Sequence, residues 1–468
     1  QALQQNTTAI GSSSSSQPAT CPFGGGAGAI ALGGSYATGT DSLAAAIANN
    51  TSSYGASQTS TIAIGYQAKA SNTYAVAIGR TAIAQGDTSL ALGEAQASGV
   101  RSVAIGTTTS SGKGATALYS IAIGYNSSST GTGGFAAGVE ADVNNQYAIA
   151  GPYARGWGNY GVAFGFEAQS EANHAVSIGS SSGANGARNT GAGAVVLGGS
   201  HASGTDSFAA AIANNSSSYG AKNANSVALG YQTQGSNSNA VALGNSSIAS
   251  GSNSFAAGWA QQASGSQSVC LGGNSSLASG ANSFSVGRAN TSSGQYSTTL
   301  GNTNQATKKA SVGIGDGAWS KLHGKFVYTG TAGGGKSQYG NMVLTRVTAD
   351  ATATILTSDD STPSAINQVV LENNSAYAFH GTIVARQQAA DGTACAAWKV
   401  EGLIRREGSA GTTVLVNSAT TVLDNTPSWG MALSADTTNG GLAITVTGAA
   451  STDIRWVATI HTSEVIYA

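Results

Sequence analysis

The feature that most limits what this chain can fold into is a 14-residue period. In Ser226–Gly258, SVALGYQTQGSNSNAVALGNSSIASGSNSFAAG, the glycines Gly230, Gly244 and Gly258 stand 14 residues apart. Each closes a short run of branched or aromatic residues and alanine: Val227-Ala228-Leu229, Val241-Ala242-Leu243 and Phe255-Ala256-Ala257. About six residues later a small-residue run ends in a second turn, as in Ile248-Ala249-Ser250-Gly251. A fixed period of this length marks a solenoid.

The closing positions run from Gly33 to Gly315 in steps of mostly 13 to 15 residues. Four steps are 18 or 19 residues, those ending at Gly65, Gly124, Gly198 and Gly230. Two of these carry the insertions NNTSSYGA (49–56) and NNSSSYGA (214–221), and Ala46 and Ala211 stand where other coils have glycine. Residues 29–106 match 194–272 almost block for block. Fourteen residues hold two strands of about five residues and two tight turns, with nothing to spare. Stacked about 4.8 Å apart, about twenty coils would make a rod on the order of 100 Å long.

Alternation in Ser-Val-Ala-Leu-Gly puts Val and Leu on one face of the strand and Ala on the other. The facing strand is also small, as in Ala82-Ile83-Ala84. So thin a coil is expected to set large side chains against small ones. Ser, Thr and Asn are expected outside. The Val/Ile/Leu row then stays partly exposed as a stripe, which marks association, and cyclic closure is the simplest way to cover it.

Composition excludes the rival readings of so much glycine. The 468 residues include 66 Gly but only 5 Pro, and no three-residue period, so collagen is ruled out. Charged residues are 8%, far below the usual quarter, yet the regular placement of Val, Ile and Leu argues against disorder. A net charge of −1 implies no nucleic-acid partner. No run of 18 apolar residues predicts a membrane-spanning helix. The opening QALQQNTTAIG, without Met, reads as a processed or incomplete chain.

Four segments follow: a lead-in (1–27), a repeat shaft (28–316), a connector (317–340) and a C-terminal β domain (341–468). In the last, strands are predicted at 341–348, 352–357, 366–372, 375–388, 395–407, 412–417, 419–424, 428–435, 441–447 and 453–467. Asp391-Gly392, Pro427 and Asn439-Gly440 mark turns between them. About ten strands without helix periodicity predict a β-sandwich of jelly-roll type.

SVAIG (102–106), AVAIG (75–79) and AVALG (240–244), in register with their neighbours, resemble the head repeats of trimeric autotransporter adhesins of the YadA type. The resemblance covers about 28–316 and implies a left-handed parallel β-roll in a tight homotrimer. It would place Val76, Ile78, Val103, Ile105, Val227, Leu229, Val241 and Leu243 in the trimer core. The C-terminal segments 338–359, 376–392 and 429–465 resemble end domains of tailed-phage fibre proteins, notably cyanophage ones. Together these imply a phage tail fibre outside the cell, bound to a host-surface glycan or protein receptor and joined to other virion tail proteins at its N-terminal end. The alternatives are the passenger of a bacterial surface adhesin and a fibre-tip depolymerase. Heptads of a coiled-coil stalk and the anchor strands of a complete autotransporter are not found.

Chemistry is sparse, and the chain reads as no enzyme. His174, His201, His323, His380 and His461 lack metal-ligand spacing, so no metal or cofactor is expected. His380 and His461 fall in predicted strands and read as structural. There is no GxSxG or HExxH. Asp359-Asp360 reads as a solvated loop. Cys21, Cys270 and Cys395 read as small buried hydrophobes. Asn126, Asn245 and Asn290 begin Asn-x-Ser/Thr triplets expected by chance. Trp398 and Trp456 are expected in the C-terminal core. Tyr54 and Tyr219, in the matching insertions, and Trp429, after a turn, are the candidate surface contacts, and Trp157 and Trp259 are expected to point outward.

Overall fold

The computed structural model describes residues 2–3, 5–11, 19–21, 26–45, 53–110, 112–179, 186–211 and 218–467. Ala46 and the first half of each insertion (49–52 and 214–217) lie outside the described residues. The chain falls into two compact units, Gln1–Gly235 and Ser236–Ala468. Parallel coils fill the first and begin the second, so the chain is an all-β solenoid of about twenty turns.

A coil is two strands and two turns. Val76–Ile78 leads through a turn at Gly79 to Ile83–Ala84, and a second turn returns the chain to Leu90–Glu94. Neighbouring coils pair in parallel with like residue on like: Val76 on Leu90, Ala77 on Ala91, Ile78 on Leu92, and Ala84 on Ala97. The interior is alanine. Ala63, Ala77 and Ala91 of the longer strands, and Ala70, Ala84 and Ala97 of the facing ones, are fully buried. The expected pairing of large against small is therefore corrected to small against small. Two sheets joined by such short turns leave room for little more than two methyl groups between them. Both sheets turn most of their large residues outward, Ile83 included, while Val143 and Val196 point inward and are fully buried.

The turns explain the period. Gly79 has φ +132°, and a Cβ there would run into the carbonyl of Gly93 in the next coil. A glycine closing most coils lets successive turns approach that closely. Ala211 keeps the left-handed conformation, φ 55°, without this relief. Many runs open with a buried serine, and several of these hydroxyls donate to the carbonyl three residues back, Ser120 Oγ to Ala117 O at 2.7 Å and Ser254 Oγ to Gly251 O at 2.6 Å, whereas those of Ser89, Ser102, Ser283 and Ser297 are buried without a partner. These serines were expected outside. They go inside because the turn leaves a carbonyl there that must be satisfied. Asn290, also buried, donates to the carbonyls of Val286 (2.7 Å) and Gly301 (2.9 Å), so its Asn-x-Ser triplet is a structural clamp.

The solenoid begins earlier and ends later than predicted. Thr8–Ile10, in the expected lead-in, pairs in parallel with Ile30–Leu32. The expected connector holds another coil: Trp319–Ser320 pairs with Gln305–Ala306, and β1 (Phe326–Thr329) pairs with Val312–Asp316. Lys321, Lys325 and Trp319 disguised this coil, because they break the small-residue pattern while the backbone repeat continues.

β1 then pairs antiparallel with β2 (Ser337–Thr348), so the solenoid sheet runs into the C-terminal part without a break. There follow β3 (Thr354–Ile355), β4 (Val369–Val370), β5 (Ser375–Gln387), β6 (Cys395–Arg406), β7 (Val414–Asp424), β8 (Gly430–Asp436), β9 (Gly441–Thr447) and β10 (Ile454–Ile466). The segments predicted as two strands, 412–417 and 419–424, form the single β7. One antiparallel sheet has the order β1-β2-β10-β5-β6-β7. In a second, β9 pairs with β8 on one side and with β3 and β4 on the other. The two sheets share one apolar core. β5, β6 and β7 with β10 returning beside β5 make one Greek key, where a jelly roll carries two.

That core is built from large side chains. Trp456, Tyr377, Leu344, Leu356, Ile383 and Ile444 are all fully buried. Trp398 stacks on Trp456 at 5.8 Å between ring centroids, and the Trp456 indole donates to Thr348 Oγ1 at 2.9 Å. Trp429 packs against Trp456 at 5.8 Å and is only 6% exposed. Its proposed role as a surface contact is thereby corrected. Its turn brings it under the sheet, where Asn425 takes its backbone N–H at 2.9 Å.

Candidate binding surfaces

The outward apolar residues form two rows along the coils. In the first unit, one row runs Ile62, Val76, Leu90, Val103, Ile121 and Phe135 in strict parallel register. The other runs Ile64, Ile78, Leu92, Ile105 and Ile123. Val76, Val103 and Ile105 are half-buried, and Ile78 is 38% exposed. Val227 and Leu229 stack under Phe208 and Ala210 in the same unit. In the second unit, Val241 stacks on Phe255 and Leu243 on Ala257. All eight residues predicted for a trimer core sit on the outward rows.

In the second unit the apolar surface continues past the last coil. Tyr328 of β1 lies opposite Tyr339 of β2, and both are exposed. Beyond them Val343, Val347, Val384 and Val457 lie exposed on β2, β5 and β10. His380 and His461 face each other across β5 and β10 with rings stacked at 5.1 Å, and Tyr339 Oη lies 2.5 Å from His461 Nδ1.

A ladder of aromatic side chains stands at one turn of the first unit. Tyr147, Tyr160 and His174 occupy equivalent positions of three successive coils and stack at 5.3 and 5.1 Å. All three have φ near +57°, a conformation bulky residues rarely adopt. Tyr119 is another such residue, and Arg101 donates to its hydroxyl at 2.8 Å. Sequence reading treated His174 as an isolated histidine. The steps from Tyr147 to Tyr160 to His174, 13 and 14 residues, were the signal that was missed.

The other candidates are placed as follows. Tyr54 and Tyr219 are half-buried against the alanine cores, so each is more a lid over its insertion's coil than a free contact. Trp259 is 59% exposed, as expected. Trp157 is half-buried and donates to Asp142 Oδ2 at 3.1 Å. Cys21 and Cys270 are buried, and burial pushes the Cys270 thiol up to about 11. Cys395 is exposed, against expectation, because it is the first residue of β6, at the strand's end.

Asp359 belongs to a structured loop. Burial works to raise its pKa, but hydrogen bonds from Ser361, Asn367 and His323 outweigh it and hold the carboxyl at about 2. Asp360 lies 3.8 Å from Arg346. Among the described residues no group of His, Cys, Asp and Glu is arranged to hold a metal ion, and no helix is long and apolar enough to cross a membrane.

A buried polar cluster ties the last coil to the C-terminal sheet. Lys325 Nζ meets Glu464 Oε1 at 2.6 Å, with both side chains almost wholly buried. Glu464 also accepts from Gln338 Nε2 (2.7 Å) and Thr462 Oγ1 (2.6 Å), and Gln338 bonds both backbone groups of Trp319. Sequence reading saw none of this, since Glu464 lies more than a hundred residues from both Lys325 and Gln338.

Comparison with known families agrees with the coil geometry. The YadA head domain repeat (2 copies) matches residues 56–82, 70–94, 84–109, 115–141, 158–182 and 236–260. The matched coils are similar to YadA head repeats. The match lies within the solenoid, and its repeats indicate an adhesin-like fibrous repeat protein. No curated protein matches the chain.

Proposed function

We propose that the chain is a homotrimeric extracellular fibre that attaches to a host cell surface by multivalent binding, and that it belongs to a phage tail. The observation that carries the assembly is the pair of outward apolar rows with an interior of alanine. A coil that cannot enclose its own large residues is completed by other coils. The YadA head match supports three as the number of chains. The apolar face of β2, β5 and β10, continuous with the solenoid sheet at Tyr328 and Tyr339, supports contact between chains there as well. Three copies of a weak site then gain strength through effective concentration.

Sedimentation of the purified chain tests the assembly: a trimer is expected, and a stable folded monomer would overturn it. Val241→Asp should abolish assembly, and a variant that still forms trimers would remove Val241 from the interface. Electron microscopy of virions with a label on the C-terminal part tests the tail-fibre reading, because a particle without the label excludes it.

The repeat match itself favours a second reading, a bacterial surface adhesin passenger. An anchoring barrel encoded downstream in the same gene would decide for it. We read the chain as non-catalytic, since hydrogen bonds commit Asp359 to a loop. Release of reducing sugars from host polysaccharide would refute this.

A further inference from the structure

A cavity of about 340 Å³ opens in the second unit between the last coil and the C-terminal sheets. Its lining includes Lys308, Lys321, Lys325 and Arg406, four of the nineteen Lys and Arg in a chain poor in charge. Two of these are neutralised: Lys325 by Glu464, and Lys321 by Glu372 at 3.2 Å. Four cations against two carboxylates leave two positive charges. Those are on Lys308 and Arg406, neither of which has an ion-pair partner among the described residues. Arg406 Nη1 donates to the carbonyl of Leu371 at 2.7 Å, while its Nε is buried with no hydrogen-bond partner. A buried charged donor left unsatisfied is costly and is rarely kept without a reason.

We propose that this cavity binds an anionic pyranose, a sugar ring carrying a carboxylate, a phosphate or a sulfate. The uncompensated charge calls for an anion. Leu322, Ile366, Val370 and Ile466 form the apolar part of the wall, against which a bare inorganic ion would lose water without recompense. An organic body covers that wall, and Thr438 offers a hydroxyl and Asn439 its amide oxygen to ring hydroxyls, the Asn439 Nδ2 already donating to Asp436 Oδ2 at 2.8 Å. The volume is at the small end for ligand sites and suits one ring, not an extended chain. The choice of a sugar rests on the adhesive reading; the anion site rests on the cavity alone.

The test is calorimetric titration of the full chain with glucuronate, glucose 6-phosphate, glucose 6-sulfate, glucose and inorganic phosphate. At least one acidic sugar should bind about ten-fold tighter than glucose and tighter than inorganic phosphate. The rank of the three names the source of the anion. Molar salt should weaken that binding. Lys308→Gln, in a half-buried side chain without an ion pair, should weaken it about five-fold in a protein that remains folded. Arg406→Gln should do the same. The proposal is overturned if no acidic sugar exceeds glucose, if inorganic phosphate binds as tightly, or if folded Lys308→Gln binds unchanged. Host-cell adhesion is measured in parallel. Adhesion without acidic-sugar binding removes the cavity proposal alone, and binding without adhesion removes the adhesive reading alone.

Discussion

The coils and the C-terminal sheets solve the same problem in opposite ways. Both are β structure, and in the second unit they share one continuous sheet. The coils bury Ala77, Ala91 and Ala104 and leave Val76 and Ile78 outside. The C-terminal sheets bury Trp456, Tyr377 and Leu344. A buried methylene is worth about 0.8 kcal/mol, so an alanine interior contributes little per coil and a tryptophan core contributes much. The coils make up the difference in backbone pairing, satisfied turns and a surface that invites another chain. The C-terminal part relies more on its own packing.

Substitutions can break this contrast. Trp456→Ala should be the most damaging change in the C-terminal core, at about 3–5 kcal/mol. Denaturant unfolding followed by tryptophan fluorescence measures it, and a loss under 1 kcal/mol would mean that the two-sheet core is not held by its aromatics. Lys325→Met, which strands Glu464 as a buried unpaired charge, should cost about 3–5 kcal/mol. The double variant Lys325→Met/Glu464→Leu should recover much of that loss, and a double variant as unstable as the single one would contradict the electrostatic account.

Gly79→Ala tests the coils. It meets both a disfavoured φ and the Gly93 carbonyl, and about 2 kcal/mol is expected from the backbone conformation with further loss from the clash. Limited proteolysis near residue 79 would show it as local opening. The same change at an exposed coil position of ordinary φ should be neutral.

Acid titration gives the smallest effect. The Asp359 carboxyl sits at about 2 in the folded chain and near 4 when unfolded. A depressed folded value contributes stability above the unfolded pKa, and that contribution is lost as pH falls from about 4 toward 2. Asp359→Asn should flatten this part of the stability profile without altering the neutral-pH fold. An unchanged profile would mean that the loop is not linked to folding.

Much of the solenoid was legible in the sequence. The period gave the coil length, the closing glycines gave the turns, and alternation placed Val76, Ile78, Val103 and Ile105 on the outward face. These features depend on neighbours along the chain, or on the same residue one coil away, and a repeat brings both into view. In the C-terminal part, turn dipeptides and alternation located most strands for the same local reason.

Only the tertiary structure decided the rest. That alanine faces alanine depends on the distance between two sheets, which no single strand encodes. That the serines of the runs point inward depends on a carbonyl exposed by the turn. Trp429 is buried because β8 carries it under Trp456, and the coil at Trp319–Phe326 exists because Gln338 and Glu464, far along the chain, satisfy its polar groups. A repeating sequence determines its own local coil; the meeting of distant strands determines which side chains are enclosed, paired or left facing a cavity.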